Sequence, residues 1–477
     1  MSTSITHGVS TRKKDTSVST PNVASSGIHF AVGCAPVQMV SGKVNEVLML
    51  NSYEEAVSAL GYSDDWKKYG LCEEIYTAFT LYNISPIFVV NVLDPTKHKK
   101  TANDNEAKEV ADGQIKLPLE TIASSVKISE KTAGTDFDVF YDDKNCIVEF
   151  LTEAPKTVTV TYDVVDPEAV TKSDIIGGYN VGTHKTTGLE LIDSVFPKYT
   201  EAPDIILCPN WAHDSEVAAV MSAKAENINA VFEAFAVLDI DTTADGATYY
   251  TEAPAWKKKN NFMKKNELVC FPKVKLGDRM FNLSTQLAGS MTATDNDTSL
   301  GDGTPCESAS NKTLQADSMC LDDGTEVLLD LQAANYLNDN GIITALNFYN
   351  GFVSWGNYTA AFPASTDPVD YIYSVSRMFK WVAKTVILSY WGRVDRRMTR
   401  RLLDAILQGV NDWLNALTAE EKIIGGRVEL LESENTLTAL MAGKAKFHIY
   451  LTPPTPLQQL DFILEYDTSY LAALLAA

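Results

Sequence analysis

The sequence has no run of about 18 apolar residues, the minimum for a helix that crosses a membrane, so no membrane insertion is expected. Its first residues, MSTSITHGVSTRKKDTS, lack the apolar stretch of a secretory signal. The chain is therefore expected to stay in the cytoplasm where it is made or to leave by another route. The seven cysteines (Cys34, Cys72, Cys146, Cys208, Cys270, Cys306 and Cys320) are scattered and form no C-x-x-C pair. That pattern argues against a disulfide framework or a zinc site and fits core thiols in a reducing compartment. The six histidines offer no pair at i, i+3 or i+4, the spacing that would put two metal ligands on one helix face. No G-x-x-x-x-G-K-[ST], no G-x-G-x-x-G after a strand, no H-E-x-x-H and no G-x-S-x-G occurs. Without a glycine loop at a helix N-terminus, phosphate loses its usual cradle. No catalytic residue, metal or cofactor is expected.

Two near-misses fail on geometry. Asp295-x-Asp297-x-Ser299 starts like a calcium loop, but its glycine falls at Gly301 and its glutamate at Glu307, each one residue late. His213, Asp214 and Ser215 hold three triad residue types, yet adjacent positions cannot place a base between nucleophile and orienter; a helix N-cap is the better reading.

What is present is a large, acidic, ordinary globular composition. The 477 residues are 45% hydrophobic and 21% charged, with a formal net charge of −22. Such a surface repels phosphate backbones, which argues against nucleic acid as a partner, and it keeps a free subunit soluble. Residues 1–26 are Ser/Thr-rich without apolar periodicity and could not fold alone; they are expected to be a frayed end or an arm that orders on a neighbour. Short strands are expected at 28–35, 47–50 and 86–93. A helix is expected near 53–60, opened by Ser52 with Glu55 and closed by Gly61, and another at 70–82. Segment 97–114 reads as a charged loop. FDVFY (137–141), CIVEF (146–150) and KTVTVTYDV (156–164) alternate with period two, as half-buried antiparallel strands do, and Asp142-Asp143-Lys144-Asn145 is a hairpin connection. Strands at 203–209, 230–240 and 267–271 then alternate with helices at 215–228, 283–291 and 327–340. That alternation predicts a largely parallel sheet covered on both faces. Two long amphipathic helices fill 367–417, interrupted near Gly392. Strands at 427–432, 445–451 and 459–466 close the chain, the last after Pro453-Pro454-x-Pro456.

The expected fold class is α/β and α+β multidomain. An N-terminal arm (1–26) precedes a mixed α/β core (27–95 and 186–365) interrupted by an inserted small antiparallel β-domain (96–185). A helical plus β C-terminal domain (366–455) leads to a terminal strand and arm (456–477). Inside this acidic chain Arg377, Lys380, Lys384, Arg393, Arg396, Arg397, Arg400 and Arg401 cluster against the single acid Asp395. They form either a face for an acidic partner or a helix face neutralised by the chain's own acids.

GCAPVQMVSGKVNEVLMLNSYEEAVSALG (33–61), PIFVVNVLD (86–94), LNDNGIITALNF (337–348), GFVSWGNYT (351–359), YIYSVSRMFKWVAKTV (371–386) and LTPPTPLQQLDFILEYDTSYL (451–471) resemble, in order, segments of the tail sheath family of contractile phages and related injection machines. The segment 294–311 departs from that family's loop by lacking an aromatic residue after its glycine. The resemblance implies a structural subunit of a virion tail or phage-tail-like particle, assembled in the bacterial host cytoplasm. Its partners would be further copies of itself in stacked rings, a tail tube protein, and baseplate and tail terminator proteins. Subunits would polymerise around the tube in an extended metastable state and contract to drive it through a cell envelope. The family joins subunits by strand exchange between terminal arms. Leu460, Phe462, Ile463, Leu464 and Tyr466 suit such an exchanged strand, and the eight basic residues suit contact with tube or neighbour. The rival readings are an α/β enzyme with an atypical site and a sheath terminator of the same machine.

Overall fold

Short runs of β-branched and apolar residues, buried on both faces, build the central sheet. In the computed structural model, which describes residues 21, 23–102, 107–142, 144–349 and 351–474, these runs are β1 (His29–Gly33), β2 (Leu48–Leu50), β3 (Ile87–Asn91), β4 (Ile205–Leu207), β5 (Phe235–Asp239) and β6 (Glu267–Cys270). They form one six-stranded sheet in the order β6-β5-β4-β1-β3-β2, parallel except for β2. All five residues of β1, β3 and β5 are buried, as a sheet covered on both faces demands.

The helices begin and end where local chemistry says. In α1 (Tyr53–Leu60) the Ser52 hydroxyl accepts the Glu55 N–H, while Glu55 reaches back to the Asn51 N–H and not to that of Ser52; Gly61 ends the helix at φ 72°. The helix expected at 70–82 is α2 (Gly70–Ile75) running into a π-helical stretch, Tyr76–Leu81. Asp214 caps α3 (Ser215–Glu226) by accepting the Glu216 and Val217 N–H groups, which settles the role of the His213–Ser215 trio. Helix α4 (Leu283–Asn296) runs five residues beyond its expected end and carries Asp295 into the interior.

Segment 97–114 departs from its expectation. Lys99–Thr101 and Ala107–Glu109 are strands, paired with Asp163–Val165 and Thr157–Thr161, while residues 103–106 lie outside the described ones. The single strand expected over 156–164 is split between those two partners. Asp143 of the expected hairpin connection is likewise outside, but beside it the Asp142 N–H donates to Asn145 O at 3.0 Å. These strands enclose their own apolar cluster, with Leu117, Phe137, Cys146, Val148 and Val160 at its centre. Val170 and Ile175, expected in the inserted domain, pack instead into the main core beside Leu189 and Ile192.

After β6 the chain forms α5 (Leu331–Asn338) and the hairpin β7 (Thr344–Asn347) and β8 (Phe352–Trp355). Lys257 staples this region to the core: its ammonium donates to Asn340 O at 2.7 Å and Ala360 O at 2.9 Å. Burial pulls its pKa down to about 8. Gly341, at φ 65°, has no room for a Cβ, which would sit 2.6 Å from Phe362 O. Then come α6 (Tyr373–Tyr390), α7 (Arg400–Ala419) and the hairpin β9 (Gly425–Glu429) and β10 (His448–Thr452). Met378, Trp381, Val410, Trp413, Leu414 and Val428 make a third apolar cluster between these elements.

A polar seam runs through the main core. Glu73 on α2 is fully buried, accepting from the Asn282 N–H at 2.7 Å, the Asn282 side chain at 2.8 Å and the Thr285 hydroxyl at 2.6 Å. Burial nevertheless pushes its pKa up to about 7. A carboxyl whose folded pKa is raised stabilises the fold fully below its unfolded value near 4.5 and loses that contribution as pH rises through about 7. Glu73→Gln, which cannot ionise, is expected to gain about 2–3 kcal/mol relative to the parent between pH 5 and pH 8. Urea unfolding at the two pH values measures it; a pH-independent difference would refute the assignment.

Candidate functional site

The residues singled out in the C-terminal third separate into three places. Arg377, Lys380 and Lys384, at i, i+3 and i+7 of α6, point inward. Arg377 is 5% exposed and grips the fully buried Asp295 with two hydrogen bonds, 2.9 and 2.5 Å. Lys384 holds Asp204 at 2.6 Å and Lys380 holds Glu233 at 3.1 Å. Burial raises the Asp295 pKa, and the Arg377 guanidinium and Ser26 hydroxyl oppose that rise. These three cations are therefore corrected from tube or neighbour contacts to internal ties between α6 and the α/β core. The same geometry disposes of the calcium-like loop: its first carboxylate is spent on Arg377, and Asp297 turns back on the Ser299 N–H and hydroxyl.

The N-terminal segment leaves the body at this seam. Trp381 Nε1 donates to Ala24 O at 2.9 Å, the Ala24 N–H to Thr385 Oγ1 at 3.2 Å, and the Ser26 hydroxyl to Asp295 at 2.6 Å. The rest of the expected N-terminal arm, residues 1–20 and 22, lies outside the described residues.

The remaining basic residues occupy the loop between α6 and α7 and the first turn of α7. Arg396, Arg397, Arg400 and Arg401 are exposed and Arg393 half-buried. Among the described residues only Arg400 of these five has an acidic partner, Asp404 at 3.5 Å. Trp391, Val394 and Met398 are exposed beside them, so the loop presents both charge and apolar surface.

The arm is the third place. Residues 459–466, expected as a strand, have no strand partner in this single chain and form no regular structure. A strand needs a second strand to satisfy its main chain, and among the described residues no sheet supplies it. Phe462, Ile463 and Leu464 are 82%, 93% and 95% exposed, and Leu460 and Tyr466 are exposed as well. Leu460, Phe462, Leu464 and Tyr466 fall on one face of an extended chain, with Asp461 and Glu465 on the other.

The hairpin β9–β10 has one open edge. Val428 gives its N–H and C=O to the Asn411 side chain of α7, at 2.9 and 3.1 Å. Its register partner Ile449 then belongs to a non-hydrogen-bonded pair and directs its own main-chain groups away from β9. Among the described residues no third strand pairs with β10, so its outer edge is an unfilled ladder.

Six cysteines are buried and Cys306 is half-buried, all of them free. Burial pushes the Cys34, Cys72 and Cys146 thiols up to about 12, far from thiolate chemistry. Among the described residues no group of three or more His, Cys, Asp or Glu is placed to hold a metal, and no helix is long and apolar enough to cross a membrane.

No protein-family model matches the chain. The tail sheath protein of Burkholderia phage BcepMu is 26% identical over 499 aligned residues, covering 99% of both chains. The tail sheath protein of Escherichia phage P2 is 30% identical over 155 residues, 32% of this chain and 38% of the relative. Among solved structures, the sheath complex of the extracellular contractile injection system PVC in its contracted state superposes with a TM-score of 0.59 at 11% identity, over 98% of this chain and all of that one. The contracted helical sheath of the anti-feeding prophage superposes with a TM-score of 0.56 at 12% identity, over 98% of this chain and 99% of that one. Sequence likeness along 99% of the chain and a shared fold agree: the chain is similar over its whole length to contractile tail sheath proteins.

Proposed function

We propose that this chain is the structural subunit of a contractile sheath, polymerising helically around a tail tube in an extended metastable state and contracting to drive the tube through a cell envelope. The observation that carries this reading is the uncovered arm segment, Leu460–Tyr466, on a chain that already has an open strand edge at β10. Each copy lends its arm to the edge of a neighbour. Main-chain hydrogen bonds supply strength, and the alternate side chains Leu460, Phe462, Leu464 and Tyr466 supply register. At about 0.5–1.5 kcal/mol net per bond, five bonds give a few kcal/mol per arm, which repetition around a lattice makes decisive.

Electron micrographs of the purified chain test this. Striated cylinders are expected; a small closed oligomer would favour an enzyme. Copies of itself and a baseplate are the partners the sheath and baseplate relatives support. The tube, a tail terminator, assembly in the host cytoplasm and a place in the virion tail complete the proposal.

The exposed loop carrying Arg393, Arg396, Arg397, Arg400 and Arg401 is the surface we assign to the tube or an acidic neighbour. A chain of net charge −22 supplies acid on every copy. Arg396→Glu with Arg397→Glu is expected to raise the concentration needed for assembly roughly tenfold at low salt, and less above about 0.3 M, where charges are screened within a few ångströms. Salt-independent, parental assembly would rule the loop out.

A further inference from the structure

The loop arginines and the C-terminal arm carry opposite charge, and both are exposed. Arg396, Arg397 and Arg401 line an open hollow of about 550 Å³ at the N-terminus of α7, and Trp391 and Val394 of the same loop are 67% and 63% exposed. Residues 449–477 hold three acids, Asp461, Glu465 and Asp467, and no lysine or arginine. Asp461 accepts from the Gln459 amide and Asp467 from the Ser469 N–H, each at 2.8 Å. Among the described residues no cation pairs with either of them or with Glu465. Between the acids the arm presents Phe462, Leu464 and Tyr466, so its surface mixes charge with apolar side chains as the loop does. The complement of each surface is therefore present on another copy of the same chain.

The direction of β10 decides which end of an arriving strand meets the loop. Asn411 of α7 holds Val428, the register partner of Ile449, and a Cβ on Gly426, the partner of Leu451, would lie 3.2 Å from the Leu414 side chain. So β10 starts at His448 on the side of α7 nearer the arginines and ends at Thr452 near the helix C-terminus. A strand laid antiparallel on its outer edge heads back toward the arginines. Arg401 lies about 15 Å along the helix from Asn411, a span that an extended chain covers in about five residues. With Phe462 opposite Ile449, Glu465 and Asp467 arrive at the loop. A parallel strand would carry the same acids to Glu420 and Glu421 past the end of α7, where Lys422 is already shared by Glu420 and Asp302. The helix dipole widens the difference, since its N-terminus favours negative charge and its C-terminus opposes it. The chain's own arm leaves from the far end of β10, and residues 460–466 find no strand partner among the described residues. We propose that the arginine loop of one copy receives Glu465 and Asp467 from the arm of a second copy, and that this charge match sets the exchanged strand antiparallel to β10. The inference rests on the arm reading above and adds the direction of the strand and the partner of the loop.

Charge reversal on both sides tests the pairing in the full chain. Glu465→Lys with Asp467→Lys is expected to raise the critical concentration for assembly about tenfold at low salt, as Arg396→Glu with Arg397→Glu does. All four substitutions together are expected to bring assembly back to within about threefold of the parent. Circular dichroism should show one fold throughout, since all four side chains are exposed in the free chain. An arm reversal that assembles at the parental concentration overturns the pairing and assigns the loop to the tube instead. A quadruple variant no better than the doubles overturns it too. Direction is read separately, in a Cys306→Ser background, by mixing a Thr468→Cys chain with an Ala405→Cys or a Glu420→Cys chain during assembly. A disulfide between copies is expected with Ala405→Cys; preferential linkage to Glu420→Cys overturns the antiparallel strand. Should loss of residues 460–477 leave assembly intact, the arm reading fails and this inference with it. A chain that needs its arm but gains nothing from the charge exchange loses this inference alone.

Discussion

Removal of residues 460–477 is expected to leave a folded, monomeric chain that forms no cylinders. Among the described side chains that the truncation discards, Phe462, Ile463 and Leu464 are 82–95% exposed. Its cost to the fold is therefore expected to stay within about 0.5 kcal/mol, the usual range for surface changes. Its cost to assembly is much larger. Burying four apolar side chains of one strand face on a neighbour contributes about 1.5–3 kcal/mol each, against about 1–2 kcal/mol per residue for ordering the segment. The main-chain bonds tip that near balance toward exchange, at every subunit of the lattice. Circular dichroism and denaturant midpoints should match the parent, and electron microscopy should show no striated tubes. Cylinders of normal appearance would sink arm exchange.

The second large effect concerns stability. Arg377→Met strips the buried Asp295 of its guanidinium, leaving only the Ser26 hydroxyl as a side-chain donor among the described residues. Breaking a buried pair from one side costs about 3–5 kcal/mol, because the remaining charge is stranded. The double substitution Arg377→Met with Asp295→Leu removes the stranded charge and is expected to recover most of that loss. Equilibrium unfolding of the parent, the two single variants and the double variant completes the cycle. Equal destabilisation in the single and double variants would show that the pair is not what ties α6 to the core.

The pair also shows why sequence reading misplaced three cations. Arg377, Lys380 and Lys384 were conspicuous as charge, but their partners Asp295, Glu233 and Asp204 are 82, 147 and 180 residues away. Spacing alone does not separate them from the five later arginines, since Arg393, Arg396, Arg397, Arg400 and Arg401 also repeat at i, i+3, i+4, i+7 and i+8. What differs is that the first three lie within the same span as the apolar residues of α6, before the interruption at Gly392. Burial of the first three could have been suspected; the identity of their partners could not.

The inserted strands repeat the point. Period-two alternation at 137–141 and 146–150 located two strands, because alternation is a property of the segment itself. It could not tell that 156–164 divides between two partners, since pairing is decided by what else comes near.

By itself the sequence determined what local chemistry controls. Ser52, Asp214 and Gly61 set helix ends through hydrogen bonds and backbone freedom within a few residues. Apolar runs set the strands of the parallel sheet. Only the tertiary structure decided which charges face inward, which strand edge stays open, and that the segment after the prolines has no strand partner among the described residues. Those outcomes depend on groups brought together from far along the chain, and no spacing within a segment encodes the distance between two segments in space.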